Sequence, residues 1–332
     1  MTAPVVISQY WAVDAIEPVD AIAGLKEQLL ALDELPGHVT LVSAGEVGVL
    51  RDPLVIEFHL WLQAYCQVTF VSAACTSLHA GILDFYHSGL TATLVISLEL
   101  DKAFQQACLN SLGIGNEKDQ DGLDVVPGLG FIALKKLDKD KAPAAHELLI
   151  EKCQLLSQPG GMRGTHTLIG RLSQQLQALP KEVLPVSFDI CSSWGKSLLM
   201  GLNIRLAGKR QPVEWLASIE SCQRHYLSLK PLFELQLYKE KLKENSLLLF
   251  TLGGGGRVGI LQLGCSNSKT SGEPELPKAS FEQQSLADDI KGYELALNLL
   301  GDDKPAGYQQ IRDTLKYPHS RYRGMDNHYF KW

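Results

Sequence analysis

One unbroken apolar run, Thr91-Ala92-Thr93-Leu94-Val95-Ile96-Ser97-Leu98, constrains the fold of this chain more than any other stretch. No charged residue interrupts either alternating face. That is the pattern of a strand buried on both sides, in a sheet with helices over each face. The neighbouring segments supply those helices. Ala21 to Leu32 and Asp52 to Cys66 carry helical apolar spacing, the second with Leu54, Phe58, Trp61 and Leu62 on one face. Between and around them Val5–Ser8, His38–Ser43, Val68–Ala73 and Gly128–Leu134 read as strands, and a further helix runs to about Ser88. The order strand–helix–strand–helix–strand–strand predicts an α/β layered fold.

The second half broadly echoes the first in element order, without a clear sequence repeat. Leu168 to Leu179 is amphipathic, Leu184 to Ile190 reads as a strand, and Lys196 to Leu206 as a helix. Gln211 to Ser218 holds a short strand. Leu229 to Lys243 is helical, with Pro231 near its start, where proline is tolerated. Ser246–Leu252 and Arg257–Leu263 are strands joined by Gly253-Gly254-Gly255-Gly256. Asp138 to Pro143 is a charged, proline-terminated junction. Residues 1–140 and 141–265 are therefore expected to form two halves, with 266–332 as a C-terminal extension. That extension includes a helix at Phe281–Leu300 and an aromatic and basic end, Tyr317 to Trp332, which either packs on its own body or docks a partner.

At 332 residues the chain needs one large or two fused domains. A net charge of −6, with no long lysine or arginine run, argues against nucleic acid as a partner. Seven cysteines (Cys66, Cys75, Cys108, Cys153, Cys191, Cys222 and Cys265) form no CxxC pair, which argues against a disulfide framework or a zinc site. No signal sequence is visible at Met1 to Asp14, and no apolar run reaches the roughly 20 residues of a membrane span. A cytoplasmic protein is expected.

The chemistry concentrates at Val68-Thr69-Phe70-Val71-Ser72-Ala73-Ala74-Cys75-Thr76-Ser77-Leu78, where a buried strand turns through small residues into a helix. A cysteine there lies near unpaired backbone N–H groups and the positive end of the helix dipole, both of which favour thiolate. Cys75 is thus a candidate nucleophile; the bland alternative is an inert buried thiol. His79 and His87 lie on the following helix, His79 one turn on, where surface packing competes with contact to the thiol. Glu99 at its strand end caps or pairs more readily than it does acid–base work. The Gly253–Gly256 run precedes a strand and lacks Gly-Lys-Ser/Thr, so it is no phosphate loop, and Ser192-Ser193 shows no Gly-x-Ser-x-Gly elbow.

Three segments together resemble the thiolase-like condensing enzymes, most closely the ketoacyl-ACP synthase III branch. They are Ala74-Cys75-Thr76-Ser77 with its helix, Thr91 to Glu99, and the hairpin Asn245 to Leu263 with Leu252-Gly253-Gly254-Gly255. The resemblance spans roughly residues 1–264. It implies a thiolase-like five-layered α/β fold from two similar halves, usually dimeric, in which Cys75 accepts an acyl group from acyl-CoA or an acyl-carrier protein. No cofactor is implied beyond that substrate. The oxyanion donors would be the backbone N–H groups of Cys75 and Gly255.

The departures from the family pattern are as informative. Where the family has a His-x-x-Asn-like segment, this chain has Cys191-Ser192-Ser193-Trp194. Where it has Gly-Asn before the next helix, this chain has Gln223-Arg224-His225. Cys191 is a second thiol or a filler of the vacated histidine position; His225 is a displaced base or a surface or capping histidine. Two functions follow. One is an atypical condensing or acyl-transfer enzyme of fatty acid or polyketide biosynthesis. The other is a non-catalytic subunit that pairs with an active synthase, so the expected assembly is a homodimer or such a heterodimer.

Overall fold

The structure, a computed structural model, describes residues 3–265 apart from 16, 33, 46–51, 104, 107–123, 139–140, 157–164, 178–183, 208–212, 221–223, 243–245 and 254–256. Its strands in chain order are β1 (Val5–Asp14), β2 (His38–Ser43), β3 (Gln67–Ser72), β4 (Ala92–Glu99), β5 (Gly128–Lys136), β6 (Leu148–Leu156), β7 (Leu184–Ser187), β8 (Val213–Leu216), β9 (Leu247–Gly253) and β10 (Arg257–Cys265). The helices are α1 (Pro18–Leu30), α2 (Pro53–Gln63), α3 (Ser77–His87), α4 (Thr165–Gln177), α5 (Ser193–Leu206), α6 (Lys230–Leu237) and α7 (Lys239–Leu242).

The strand order β3-β2-β4-β5-β1-β6-β10-β9-β7-β8 contains one pattern twice. In the first half the strands run third-second-fourth-fifth-first, with parallel pairs β2–β3 and β2–β4 and antiparallel pairs β4–β5 and β5–β1. The second half repeats it: β7–β8 and β7–β9 are parallel, β9–β10 and β10–β6 antiparallel. The halves meet at β1 and β6, which share only the pairs Val6–Leu149 and Ile7–Leu148.

Helices α3 and α6 lie between the two half-sheets. Helix α3 touches β2, β3 and β4 on one side and β6 and β10 on the other, while α6 touches β1, β5 and β9. The doubly apolar β4 is therefore covered by α3 and, on its other face, by the layer of α1 and α2. There Leu25, Leu29, Phe58 and Leu62 pack on Leu41, Phe70 and Ile96. Helices α4 and α5 cover the second half, with Leu168, Leu172, Leu198 and Leu202 on Val186, Phe250 and Ile260. Five layers result, as the resemblance implies.

Four differences from the sequence reading have physical reasons. Strand β1 runs six residues beyond Ser8, through a register shift between Ile7 and Gln9. Strand β6 escapes notice because Glu151 and Lys152 interrupt its apolar pattern. Gln262 and Ser246 donate to Glu151, and Lys152 binds Gln175 of α4, so both charges find partners on other elements. Strand β7 stops at Ser187, since the following residues serve the site described below. The helix expected over Leu229–Lys243 is a 3₁₀ turn (Leu227–Leu229) followed by α6 and α7. The expected helix at Phe281–Leu300 and the whole of 266–332 lie outside the described residues.

Candidate active site

Cys75 sits where the sequence places it, in the turn from β3 to α3. The turn is sharp because Ala74 adopts a left-handed conformation at φ 50°, unusual for any residue with a Cβ. Side chains brace it. Ser77 Oγ accepts the Ala73 N–H at 2.7 Å and lies 2.7 Å from the Ser43 carbonyl, while Thr76 Oγ1 donates to the Ala73 carbonyl at 2.6 Å. The turn is thereby tied to the end of β2. Cys75 is almost wholly buried, at 7% exposure, so the thiol presents only a small face to any substrate.

His225 is no surface or capping residue. It is buried, with Nε2 3.5 Å from Cys75 Sγ. The backbone fixes it there. The His225 N–H donates to the Asp124 carbonyl at 2.8 Å, and its own carbonyl accepts the Val126 N–H at 3.0 Å. On the far side of the ring Nδ1 lies 3.0 Å from Glu220 Oε1, which also accepts the Tyr226 N–H at 2.8 Å. Thiol, imidazole and buried carboxylate thus stand in line. Burial opposes charge on His225, but the facing Glu220 carboxylate outweighs it and holds the imidazole well above its ordinary pKa. Burial likewise pushes Glu220 up, and the facing His225 and Lys230 more than reverse this, leaving it below the ordinary carboxylate range.

Cys191 joins this group on the same side of the ring as Glu220. Its Sγ is 3.6 Å from His225 Nδ1 and donates to Asp189 Oδ1 at 2.8 Å. Burial and the Asp189 carboxylate drive the Cys191 thiol far above its ordinary pKa, so it stands as a neutral thiol. Asp189 also accepts the N–H groups of Cys191 and Leu252, both at 3.2 Å, and so ties the end of β7 to the end of β9. Gly253 of the hairpin backs onto Thr76, where a Cβ would come within 3.1 Å of the threonine methyl. Gly255 lies outside the described residues.

Two acidic members of the site, Glu220 and Asp189, are not found by reading the sequence. Glu220 stands five residues before His225 and Asp189 two before Cys191, on irregular segments with no periodicity to mark them. Glu99 braces the fold, as its strand-end position suggests. It is buried and accepts the Ala44 N–H at 2.6 Å and the Ser43 hydroxyl at 3.1 Å, with Gln105 and Ser228 as further donors. His79 does not pack on the helix surface. It is enclosed between α3 and β10, its ring against Gly259, and burial lowers its pKa to about 3.

No protein-family model matches the sequence, and no curated protein matches it. Solved structures do. The chain is similar to a glutamate-to-glutamine variant of Xanthomonas campestris OleA bound with cerulenin, at 13% identity and a TM-score of 0.51, over 79% of this chain and 97% of that one. A histidine-to-alanine variant of the same OleA matches at 10% identity and a TM-score of 0.50, over 79% of this chain and 99% of that one. OleA is a thiolase-superfamily condensing enzyme. With its duplicated strand order and central helical layer, this chain has the thiolase-like fold.

Proposed function

We propose that this protein is an acyltransferase in which Cys75 accepts an acyl group from acyl-CoA or an acyl-carrier protein and passes it to a heteroatom acceptor. The observation that carries the reading is the alignment of Cys75 Sγ, His225 and Glu220, at 3.5 Å and 3.0 Å. A thiolate beside an imidazolium is the effective attacking form of cysteine. Its sulfur adds to the thioester carbonyl carbon, and the developing oxyanion takes backbone N–H donors. The acyl–sulfur bond of the donor then breaks, and the departing thiolate takes the Nε2 proton of His225. Neutral His225 next accepts a proton from the incoming acceptor as that acceptor attacks the Cys75 thioester. Glu220 holds the Nδ1 proton and the ring orientation throughout.

Condensation with a carbon acceptor requires two donors on a developing enolate, and among its described residues this site offers one imidazole. At the family's histidine position the Cys191 thiol is committed to Asp189. A hydroxyl, amine, thiol or water acceptor needs only the single base.

Incubation with acyl-CoA and acyl-carrier donors of graded chain length, followed by intact-mass measurement, tests this reading. An acyl adduct is expected on the native chain and not on Cys75→Ala. No adduct with any donor, together with activation of a co-expressed synthase by the Cys75→Ala chain, would instead make it a non-catalytic subunit.

A further inference from the structure

Three groups that ligate metals converge beside this thiol from separate segments. Cys191 Sγ, a Glu220 carboxylate oxygen and a His225 ring nitrogen lie within 4.8 Å of one another, all three residues buried. The nitrogen nearest both partners is Nδ1, 3.6 Å from Cys191 Sγ and 3.0 Å from Glu220 Oε1. A tetrahedral zinc ion, about 2.3 Å from sulfur and about 2.0 Å from nitrogen and oxygen, spaces its ligand atoms roughly 3.3–3.6 Å apart. The two measured separations fall within a few tenths of an ångström of that.

A second observation points the same way. Among the described residues, the buried Glu220 Oε2 has no hydrogen-bond partner, and acyl transfer as described above uses only Oε1. A buried carboxylate oxygen left without a donor calls for an occupant at that place. Acyl transfer also gives Cys191 no chemical step, although its sulfur is as close to the imidazole as that of Cys75. One thiolate, one carboxylate and one neutral imidazole would neutralise a divalent cation, and thiolate favours zinc-class ions over magnesium or calcium.

We infer that Cys191, Glu220 and His225 bind one zinc-class divalent cation, in competition with the Cys75–His225–Glu220 alignment. Binding displaces the proton of the Cys191 thiol and the proton on Nδ1, with no change of oxidation state. With Nδ1 on the cation, the imidazole keeps its remaining proton on Nε2, facing Cys75. It can then no longer accept a proton from an acyl acceptor. The cation therefore arrests acyl release.

Cation binding does not require Cys75 to accept an acyl group, so the test starts from the full chain carrying Cys75→Ala. That chain is titrated with Co²⁺, followed by Zn²⁺ in competition with a chromophoric chelator. One equivalent is expected, with a thiolate-to-cobalt charge-transfer band that zinc abolishes. Cys191→Ser and Glu220→Gln, added singly, should each weaken binding at least tenfold, and Cys191→Ser should remove the band. Two substitutions of different chemistry guard against one that merely disturbs folding, which circular dichroism would reveal. Absence of stoichiometric binding, or binding unchanged by both substitutions, overturns the proposal.

Discussion

Ala74 and Leu227 are the two described non-glycine residues with positive φ, at 50° and 53°, and they occupy corresponding turns of the two halves. Each turn carries the chain from the third strand of its half into a helix of the central layer, Ala74 before α3 and Leu227 before α6. The left-handed conformation costs a residue with a Cβ roughly 1–2 kcal/mol. Such strain persists where the surrounding structure fixes it, and it collects at functional sites. Here it aims side chains. Cys75 follows Ala74 directly, His225 stands two residues before Leu227, and the two turns deliver thiol and imidazole to each other.

Glu220→Gln keeps the size of the side chain and an oxygen for the Tyr226 N–H, but removes the charge behind the imidazole. Acyl release from Cys75 should slow by about 10²–10⁴-fold, as when the carboxylate of a catalytic triad is neutralised. Single-turnover intact-mass measurement gives the rate. Losing the counter-charge of a buried imidazolium also costs stability, so circular dichroism at the assay temperature confirms that the variant measured is folded.

Gly259 leaves room for the His79 ring, which a Cβ would approach at 2.6–2.7 Å. Gly259→Ala should therefore destabilise the protein by about 1–3 kcal/mol through overpacking. Chemical denaturation of Gly259→Ala, His79→Ala and the double variant forms the check. The two changes should be strongly non-additive, and additive behaviour would show that the ring is not what the methyl meets.

Lys230 and Glu234 form a fully buried pair at 2.9 Å, with the Phe250 carbonyl on the lysine at 2.8 Å and Ser187 on the glutamate. Lys230→Met leaves the carboxylate without its cation and should cost about 3–5 kcal/mol. Lys230→Met combined with Glu234→Gln should recover part of that loss in urea denaturation. A single-variant loss below about 1 kcal/mol would contradict the pairing.

Glu99 gives the protein a pH dependence of definite sign. Burial raises its carboxyl from 4.5 to about 7 against the hydrogen bonds from Ser228, Ala44 and Ser43, which favour the charged form. The folded state therefore holds the proton more tightly than the unfolded chain. Its stabilising contribution is complete below pH 4.5 and is lost as pH rises to about 7. The loss is roughly 3 kcal/mol, at 1.36 kcal/mol per pKa unit. Between about pH 4.5 and 8 the native protein should lose that much more stability than Glu99→Gln; parallel profiles would exclude Glu99 as the source.

How much of this was legible in the sequence depends on how each residue is held. Cys75 was, because a buried strand, two alanines and a helical pattern together announce a tight turn. The two-sided burial of β4 was, because a continuous apolar run has few other solutions. His225 could be placed near the site only by counting along the family pattern, and its burial there depends on the bridge to Val125, a contact across the fold. Glu220 and Asp189 left no trace. Their positions are set by individual contacts, those of Glu220 with the Tyr226 N–H and His225 and of Asp189 with Cys191 and the Leu252 N–H, rather than by any repeating pattern. Strand β6 was hidden by two charges whose partners lie on other elements.

The division of the site between halves has a consequence for how the protein is made. His225 follows Cys75 by 150 residues, and Glu220 and Cys191 also belong to the later half. At a synthesis rate of ~5–20 residues per second, the ribosome needs on the order of ten seconds to travel that distance. Throughout that interval the nascent chain carries Cys75 without the imidazole that lies beside it in the folded protein. On the acyl-transfer reading proposed above, the thiol gains its base only as the second half closes over the first.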